Sequence, residues 1–477
     1  MCIACATIAL FYPLGGPMAD AQPKRYQLGK EKLVALQSSM RGRALVGDDD
    51  GYDFARKIHN GMIDRYPAVI ARCAGVADIM RALEFGRENA VPISIRCGGH
   101  GVPGFAVCDG GIMIDLSETT TVYVDPARQT ARAAGGANWG QFDHETQAFG
   151  LATTGGLVRT TGIAGLTLAG GHGFLMRKFG LACDNLLSAE VLTADGRLIK
   201  ASAEENPDLF WALRGGGGNF GIVTSFEYRL FPLGPILGGL LLFPFEQAHS
   251  VLKFYDEFSA GAPDELGILA ALATLPGGMK AVVHPICYAG PVNAGEQVLR
   301  PLRTLTAPIA DHIQVMPYTA VQSIVENFNP RGLRNYWKMV YLKELSEDGI
   351  RTMTELYSRV PAPLSHLVIY TLGGALSRVP AAETAVAYRD ARHAAIAIGM
   401  WENSAEDDVN IQWVREFADA MQPFASGGFY PNYEGDTATG HLEAAFGHEK
   451  YQRLRAVKRK YDPANVFCLN QNITPAA

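Results

Sequence analysis

Glycine is concentrated in one part of this chain. Residues 98–173 contain 17 of the 52 glycines, about twice the number that an even spread over 477 residues would place there. Five more lie within residues 215–221. Because glycine lacks a Cβ atom, it allows positive φ angles and close approach of the backbone to other groups. We therefore expect loops at residues 98–104, 155–173 and 215–221 that bend tightly or lie closely against another group.

Two of these clusters match the pattern G-x-G-x-x-G, at residues 99–104 and 216–221. That pattern binds dinucleotides where a strand precedes it and a helix begins at its end. Here the first match contains Pro103 and is followed by turn-forming residues 108–111, and the second is followed by an apolar strand pattern at residues 222–231. We therefore reject a Rossmann site at both places.

Successive glycines can still present backbone N–H groups as concave anion sites without a helix. The alternative is a set of tight hairpins that need glycine only for its backbone freedom. Three clusters, the first containing His100, favour a phosphate-bearing cofactor.

Composition and charge limit the class of protein. The formal net charge is −6 and 48% of residues are hydrophobic, which excludes a disordered chain and argues against nucleic acid or an anionic membrane surface as the partner. No apolar run reaches the roughly 20 residues that a membrane-spanning helix needs. The histidines lack metal-ligand spacing, so we expect no metal. The oligomeric state is left open.

The N-terminus carries an apolar segment and then Ala19-Asp20-Ala21, which resembles an export signal but lacks a preceding basic residue. We expect a cytoplasmic protein, with export as the alternative. Residues 1–35 are expected to form a poorly ordered leader.

Periodicity predicts an α+β fold. Helices are expected at residues 76–90, 138–149, 207–214 and 443–461, and strands at residues 91–95, 111–116, 121–125, 187–193, 198–201 and 222–231. From about residue 234 glycine becomes rarer and aromatic residues more frequent. This change predicts a second layer of sheet and helix over the first.

Several long motifs resemble one family. They are Ile95-Arg96-Cys97-Gly98-Gly99-His100-Gly101, the glycine-rich residues 155–173, residues 208–223, Tyr430-Pro431-Asn432-Tyr433, residues 461–467 and Asn470-Gln471-Asn472. In this order they are similar to FAD-linked oxidases of the vanillyl-alcohol oxidase superfamily, particularly the berberine-bridge-enzyme-like group with a PCMH-type FAD-binding domain. The pattern is nearest to members with a single flavin tether, such as hydroxynicotine oxidases.

The resemblance covers nearly the whole chain after residue 35 and implies its domain organisation. Residues 36–232 would form a PCMH-type FAD-binding domain of two subdomains. Residues 233–428 would form a substrate-binding domain with an antiparallel sheet flanked by helices. Residues 429–477 would be a berberine-like segment that returns to the FAD domain.

The resemblance also implies the residues that hold FAD. His100 would bond covalently to the flavin, and Val158 stands where many relatives have a second, cysteine tether, so a single tether is expected. Gly101 replaces the usual serine, and we interpret the Cys97 side chain as packing. The predicted cofactor-binding residues are Arg96, Cys97, Gly98, Gly99, His100, Gly101, Gly156, Thr160, Thr161, Gly162, Gly165, Leu166, Gly170, Gly171, His172, Gly221, Val223, Asn470 and Asn472.

The implied reaction is hydride removal from a C–H bond of a small alcohol, sugar or cyclic amine, with O2 re-oxidising the flavin and yielding H2O2. Tyr433 would act as the base, or else as a packing or stacking aromatic, and His172 would have a structural role in its loop. The predicted substrate contacts are Tyr318, Tyr336, Tyr370 and Tyr433, with Trp337 and Tyr341 as further candidates.

Two other functions remain open at this point. A dehydrogenase with another electron acceptor has one supporting residue, because Ile163 matches a position where relatives have a small oxygen-gate residue. A flavin-binding protein without turnover would be supported by loss of His100 or of the pocket aromatics, and neither is lost.

Overall fold

The computed structural model describes residues 28–435 and 442–477 of the chain. The export signal and most of the expected leader, residues 1–27, lie outside these ranges. The end of that expected leader is corrected: residues 30–35 are helical, since Leu33 and Leu36 pack against the core of the first sheet. Within the described ranges, no helix has the length and apolar character needed to cross a bilayer.

The first sheet has four strands in the order β1-β2-β4-β3. β2 and β3 both run parallel to β4, and the helix between them, α3, agrees with the helix predicted at residues 76–90. The elements are α1 Lys30–Ser39, β1 Arg43–Leu45, α2 Tyr52–Arg56, β2 Val69–Arg72, α3 Val76–Glu88, β3 Ile93–Arg96 and β4 Ile112–Asp115.

The second sheet has five antiparallel strands in the order β5-β6-β10-β8-β9. Helix α4 begins with a capping box in which Asn138 and Gln141 exchange side-chain and backbone hydrogen bonds. The elements are β5 Val122–Asp125, β6 Thr130–Ala134, α4 Trp139–Gln147, β7 Leu151–Ala152, α5 Ile163–Leu168, α6 Met176–Phe179, β8 Leu186–Leu192, β9 Leu198–Ser202, α7 Pro207–Leu213, β10 Ile222–Arg229 and β11 Phe231–Pro232.

The third sheet is antiparallel and has eight strands, in the order β15-β12-β14-β13-β18-β19-β17 with β16 paired to β12. Its elements are β12 Ile236–Pro244, α8 Ala248–Ala260, β13 Leu266–Thr274, β14 Lys280–Tyr288, α9 Val292–Arg303, β15 Ala310–Asp311, β16 Gln314–Met316, α10 Tyr318–Val321, β17 Arg334–Leu342, α11 Glu347–Ser358, β18 His366–Thr371, α12 Ala375–Arg378, β19 His393–Trp401 and α13 Asp407–Met421. Helices α8, α11 and α13 bury their apolar faces against one face of this sheet. The predicted α+β fold class, with an antiparallel sheet flanked by helices, is confirmed.

The C-terminal segment forms two helices, α14 Leu442–Phe446 and α15 His448–Tyr461, where the sequence predicted one. Gly447, with φ of 75° and ψ of 154°, separates them because its backbone is not helical. Leu454, Val457 and Tyr461 pack into the core that also holds the side chains of α7. The segment therefore lies against the second sheet.

Candidate functional site

The first two glycine loops lie backbone against backbone. A Cβ added to Gly98 would be 2.3 Å from the Gly162 nitrogen, and one added to Gly162 would be 2.4 Å from the Gly98 nitrogen. Contacts this short leave no room for a side chain on either residue. Glycine is required here because the two loops approach each other, rather than to form a hairpin.

The third loop joins the second through main-chain hydrogen bonds. The N–H groups of Gly215 and Gly217 both donate to the Leu168 carbonyl at the end of α5, at 3.0 and 2.9 Å. After this loop comes strand β10, as the sequence predicted, and no helix begins at either G-x-G-x-x-G match. The rejection of a Rossmann site at both matches is therefore confirmed.

The C-terminal segment forms hydrogen bonds with the third loop. The buried ammonium of Lys458 donates to the Asn219 carbonyl at 2.7 Å and pairs with Asp462 at 2.7 Å. The Asn219 side chain in turn accepts from the Ile473 N–H at 2.9 Å. Breaking a buried ion pair leaves an uncompensated charge, so these contacts hold loop and tail together.

The three loops line one side of a cavity of about 370 Å³, which we call the glycine wall. It comprises the cavity-lining residues of 97–101, 157–172 and 216–223. Of the predicted cofactor-binding residues, the structure places on the cavity surface Cys97, Gly98, Gly99, His100, Gly101, Thr161, Gly162, Gly165, Leu166, His172, Gly221, Val223 and Asn470.

The other predicted cofactor-binding residues lie behind that surface. Arg96 is buried beside Asp115, and Thr160 supports His100. The Gly156 carbonyl accepts from Gln322, and the Gly171 N–H donates to the Tyr430 hydroxyl. The residues that do not line the cavity are Arg96, Gly156, Thr160, Gly170, Gly171 and Asn472.

His100 is held between two threonines and a second histidine. Its Nε2 lies 2.9 Å from the Thr160 hydroxyl and its Nδ1 lies 3.5 Å from the Thr161 hydroxyl. The His59 ring stacks on it with centroids 4.2 Å apart. Desolvation, aided by His59 and Arg331, lowers the pKa of His100 to about 3, so the imidazole is neutral at pH 7. A neutral, oriented imidazole is a nucleophile.

His59 was not anticipated from the sequence, although it lines the cavity. Its Nδ1 is buried without a hydrogen-bond partner, and burial lowers its pKa to about 4. It lies 41 positions before His100 and outside every motif, so no spacing pattern could have paired the two rings.

The opposite side of the cavity is formed by the third sheet, and we call it the strand wall. Alternate residues of β13, β14, β17, β18 and β19 face the cavity, because successive side chains of a strand point to opposite faces. The strand wall consists of Leu269, Ala271, Ala273, Val283, Pro285, Trp337, His366, Val368, Tyr370, Ile396 and Ile398.

The same alternation moves Tyr336 away from the cavity. Its neighbour Trp337 lines the cavity, whereas Tyr336 packs among the helices on the other face, where Arg415 of α13 donates to its hydroxyl. Tyr341 faces the cavity side but is buried below the lining, with its ring against Tyr388. Neither tyrosine is placed to contact a substrate in the cavity.

Tyr318 also lies outside the cavity, in a buried polar cluster at the joint between the two sides. Gln322 donates from its amide to Asp143 at 3.0 Å and to the Gly156 carbonyl at 2.9 Å. Burial raises the pKa of Asp143 to about 7, against the opposing hydrogen bond from Gln322. The Tyr318 hydroxyl is buried without a partner.

Ile163, the residue that supported a dehydrogenase, does not line the cavity. It is fully buried as the first residue of α5 and packs in the core with Trp139 and Phe142. Thr161, two residues earlier, is on the cavity surface. Ile163 therefore packs in the core between two residues that do line the cavity, Gly162 and Ala164.

Tyr433 and Tyr370 meet where the two walls join. Their hydroxyl oxygens are 3.3 Å apart, and the Tyr433 ring lies 5.6 Å from the Trp337 ring, centroid to centroid. Burial raises the pKa of Tyr433, while the hydrogen bond with Tyr370 lowers it. The lowered pKa that a phenolate base requires is therefore not provided by this environment.

His172 lies among the same aromatic rings. Its centroid is 4.6 Å from that of Tyr430, 5.8 Å from Tyr370 and 6.5 Å from Tyr433. Its Nδ1 is buried without a partner, and burial lowers its pKa to about 4. A neutral imidazole on the cavity surface can accept a hydrogen bond or a proton from a ligand. The sequence had predicted only a structural role in the loop for this residue.

The glycine wall fits a phosphate-bearing cofactor. Gly101, Gly165 and Gly218 line the cavity, and a Cβ added to any of them would meet nothing within 4 Å, so part of this surface is open backbone. The Asn470 side-chain oxygen is buried without a partner beside the third loop. These features leave N–H groups and a polar atom for a ligand.

Comparison with known families and proteins agrees with this geometry. Residues 67–202 match the FAD binding domain family, and residues 429–474 match the berberine and berberine-like family. The chain is 31% identical over 449 residues to the FAD-linked oxidoreductase YgaK of Bacillus subtilis, covering 92% of this chain and 98% of that protein. It is 31% identical over 472 residues to (R)-6-hydroxynicotine oxidase of Paenarthrobacter nicotinovorans, covering 93% and 98%.

Solved structures show the same architecture. 6-Hydroxy-D-nicotine oxidase from Arthrobacter nicotinovorans superposes with a TM-score of 0.84 at 29% identity, covering 92% of this chain and 99% of that one. Xylooligosaccharide oxidase from Myceliophthora thermophila gives a TM-score of 0.82 at 24% identity, covering 94% and 100%, and supports the fold alone. Motifs, fold, cavity and relatives agree: the chain belongs to the berberine-bridge-enzyme-like family of FAD-linked oxidoreductases.

Proposed function

We propose that this enzyme is an oxidase that carries FAD covalently through His100 alone and oxidises a C–H bond of a small molecule. The single observation that carries the proposal is His100 itself, a neutral imidazole on the glycine wall held by Thr160 and Thr161. Val158 lines the cavity where a second tether would have to be, and valine cannot form one. When bound, FAD supplies a two-electron acceptor for hydride.

The proton that the substrate loses is removed at the junction of the two walls. Tyr433 and Tyr370 share a hydrogen bond, so one hydroxyl is free to bind the reacting group of a substrate. Because burial raises the pKa of Tyr433, the phenol keeps its own proton and orients the substrate hydroxyl through a hydrogen bond. The proton that the substrate loses passes instead to the neutral His172 imidazole in the same aromatic cluster, whose buried Nδ1 has no hydrogen-bond partner.

Denaturation tests the tether. We expect the purified protein to be yellow and its flavin to remain on the polypeptide in SDS or acid, whereas His100→Ala should release all flavin on denaturation and react more slowly. The matched control is His144→Ala, an exposed histidine of α4, which should keep the tether. Flavin that stays attached in His100→Ala would show that another residue carries it.

Re-oxidation tests the oxidase assignment separately. Protein reduced chemically under anaerobic conditions is mixed with air-saturated buffer, and the flavin absorbance is followed together with H2O2. We expect recovery within seconds and stoichiometric peroxide. Recovery over many minutes would instead identify a dehydrogenase that uses another electron acceptor.

A further inference from the structure

Four buried polar atoms lie at the joint between the two walls, where helices α4 and α10 pack together. They are the Trp139 Nε1, the Asp143 Oδ1, the Tyr318 hydroxyl and the Gln322 Oε1. Each residue is at most 1% exposed, and none of the four atoms has a hydrogen-bond partner among the residues that the structure describes. Because a buried polar atom without a partner costs free energy, four of them at one place require an explanation.

Helical spacing brings the four side chains together. Trp139 and Asp143 are four positions apart in α4, and Tyr318 and Gln322 are four positions apart along α10 and its C-cap, so each pair shares one helix face. The two faces are in contact, since the Gln322 Nε2 lies 3.0 Å from the Asp143 Oδ2. The same nitrogen donates to the carbonyl of Gly156, and a Cβ added to Gly156 would lie 3.6 Å from the Trp139 Nε1. Burial and then the charge of Asp143 raise the pKa of Tyr318, which indicates that its hydroxyl lies near the same carboxyl.

The hydrogen-bonding capacities of the four atoms are balanced. The Gln322 amide uses both of its N–H groups, one for Asp143 and one for the Gly156 carbonyl, which fixes its orientation and leaves Oε1 as an acceptor. The Asp143 Oδ1 is a second acceptor when the carboxyl is ionised, whereas the Trp139 indole and the Tyr318 hydroxyl are donors. A ligand that accepts two hydrogen bonds and donates two would satisfy all four atoms.

Water has this capacity, and ions do not. A metal or ammonium cation cannot accept a hydrogen bond from Trp139, and an anion would be repelled by the ionised Asp143. We propose that Trp139, Asp143, Tyr318 and Gln322 bind one internal water molecule that links α4 to α10. When Asp143 is protonated, its hydroxyl donates to the water and the Tyr318 hydroxyl accepts from it, so the site suits both states of the carboxyl.

The proposed water lies directly behind the second glycine loop. Gln322, one of its partners, also binds the Gly156 carbonyl, and the next two residues, Leu157 and Val158, line the cavity. An internal water with three or four partners is a stable part of a structure and is costly to remove. The water therefore links α10 to the base of this loop, whatever substrate the enzyme oxidises.

A high-resolution crystal structure of the holoenzyme tests the site directly. We expect one water peak within about 3.2 Å of at least three of the four atoms. A peak that contacts fewer of them, an empty gap, or direct hydrogen bonds among the four groups would overturn the proposal.

Tyr318→Phe gives a second test, in which the direction of the change depends on the water. Removal of a buried hydroxyl that has no partner should raise the melting temperature, because an unpaired polar group is lost. With the water bound, the same substitution removes a hydrogen bond, and we expect the melting temperature of the yellow holoenzyme to fall by about 1–2 °C.

Tyr228→Phe is the matched control. The Tyr228 hydroxyl is fully buried and pairs directly with the Thr167 hydroxyl at 2.7 Å, so its removal should lower the melting temperature by a similar amount. Equal flavin content in both variants and the wild-type protein shows that each is folded. An unchanged or higher melting temperature of Tyr318→Phe beside a lower one of Tyr228→Phe would contradict a water bound at Tyr318.

Discussion

The glycine wall and the strand wall enclose the same cavity but are built in opposite ways. In the glycine wall part of the surface is backbone, since Gly101, Gly165 and Gly218 line the cavity and a Cβ at any of them would meet nothing within 4 Å. In the strand wall the backbone is engaged in sheet hydrogen bonds and the surface consists of side chains. A backbone surface offers the same N–H groups whatever the neighbouring sequence, whereas a side-chain surface changes with every substitution.

This difference indicates which part of the site tolerates amino-acid substitution. The glycine wall is restricted to one residue type at its contact points, as expected for a surface that holds a constant ligand. The strand wall accepts any β-forming residue that the sheet can carry, which suits a surface that meets a substrate. Residues of the first wall should therefore control cofactor content, and residues of the second should control which substrate reacts.

The largest effect is expected from Gly98→Ala. The new Cβ would lie 2.3 Å from the Gly162 nitrogen and 2.8 Å from its Cα, so the two loops would have to separate. We expect loss of most bound flavin, measured as the ratio of absorbance at 450 nm to that at 280 nm in purified protein.

Gly234→Ala is the matched control, outside the loops that line the cavity. A Cβ there meets nothing within 4 Å, its backbone does not have a positive φ and the residue is exposed, so flavin content should be close to that of the wild-type protein. Equal loss of flavin in both variants, or no loss in either, would contradict this interpretation, because the cofactor site would then not depend on contact between the loops.

A smaller effect is expected from Tyr433→Phe, at the junction of the walls. The ring and its packing against Trp337 and Tyr430 remain, while the hydroxyl that pairs with Tyr370 is removed. We expect flavin content to be unchanged and the rate of flavin reduction by substrate to fall about 100-fold, as measured by anaerobic stopped flow. An unchanged rate would leave Tyr433 as a packing aromatic.

The smallest effect concerns the joint between the walls, where Gln322 connects Asp143 to the Gly156 carbonyl. Burial raises the pKa of Asp143 to about 7, while in the unfolded chain an aspartate ionises near 4. The stabilisation of the folded state by the protonated carboxyl is complete below about pH 4 and is lost as the pH rises to about 7.

Asp143→Asn should remove this dependence, because the amide stays neutral and its oxygen can still accept from Gln322. We expect its melting temperature to exceed that of the wild-type protein by a few degrees at pH 8, with the difference shrinking toward pH 4. Asp408→Asn, at an exposed position of α13, should show no such trend. A difference that grows as the pH falls would contradict the assignment of a buried neutral carboxyl.

Much of the FAD side could be predicted from the sequence because its signals are local. The helix at residues 76–90, the hairpin of β8 and β9 and the strand after the third glycine loop all follow from periodicity and turn residues, and the structure has them. The tail helix was predicted as one element because helical periodicity continues across Gly447 and glycine can occur within a helix. In the structure Gly447 has a φ of 75° and interrupts the helix.

The strand wall was much less predictable. The tyrosines of the middle segment were equivalent candidates in the sequence, yet Tyr370 lines the cavity, Tyr336 faces the helices and Tyr318 lies in the joint. Which face of a strand meets the cavity depends on register and on what packs above the sheet, and a shift by one residue exchanges the faces.

The sequence by itself determined the α+β class and the positions of the glycine loops, because periodicity and glycine act locally on the backbone, and its motifs are similar to those of one family. Only the tertiary structure decided that His59 stacks on His100, that His172 joins the tyrosine cluster, and that the lining described here has no charged side chain. Those features arise from residues distant in the chain and from the exclusion of water between two walls, and neither is encoded at any single position.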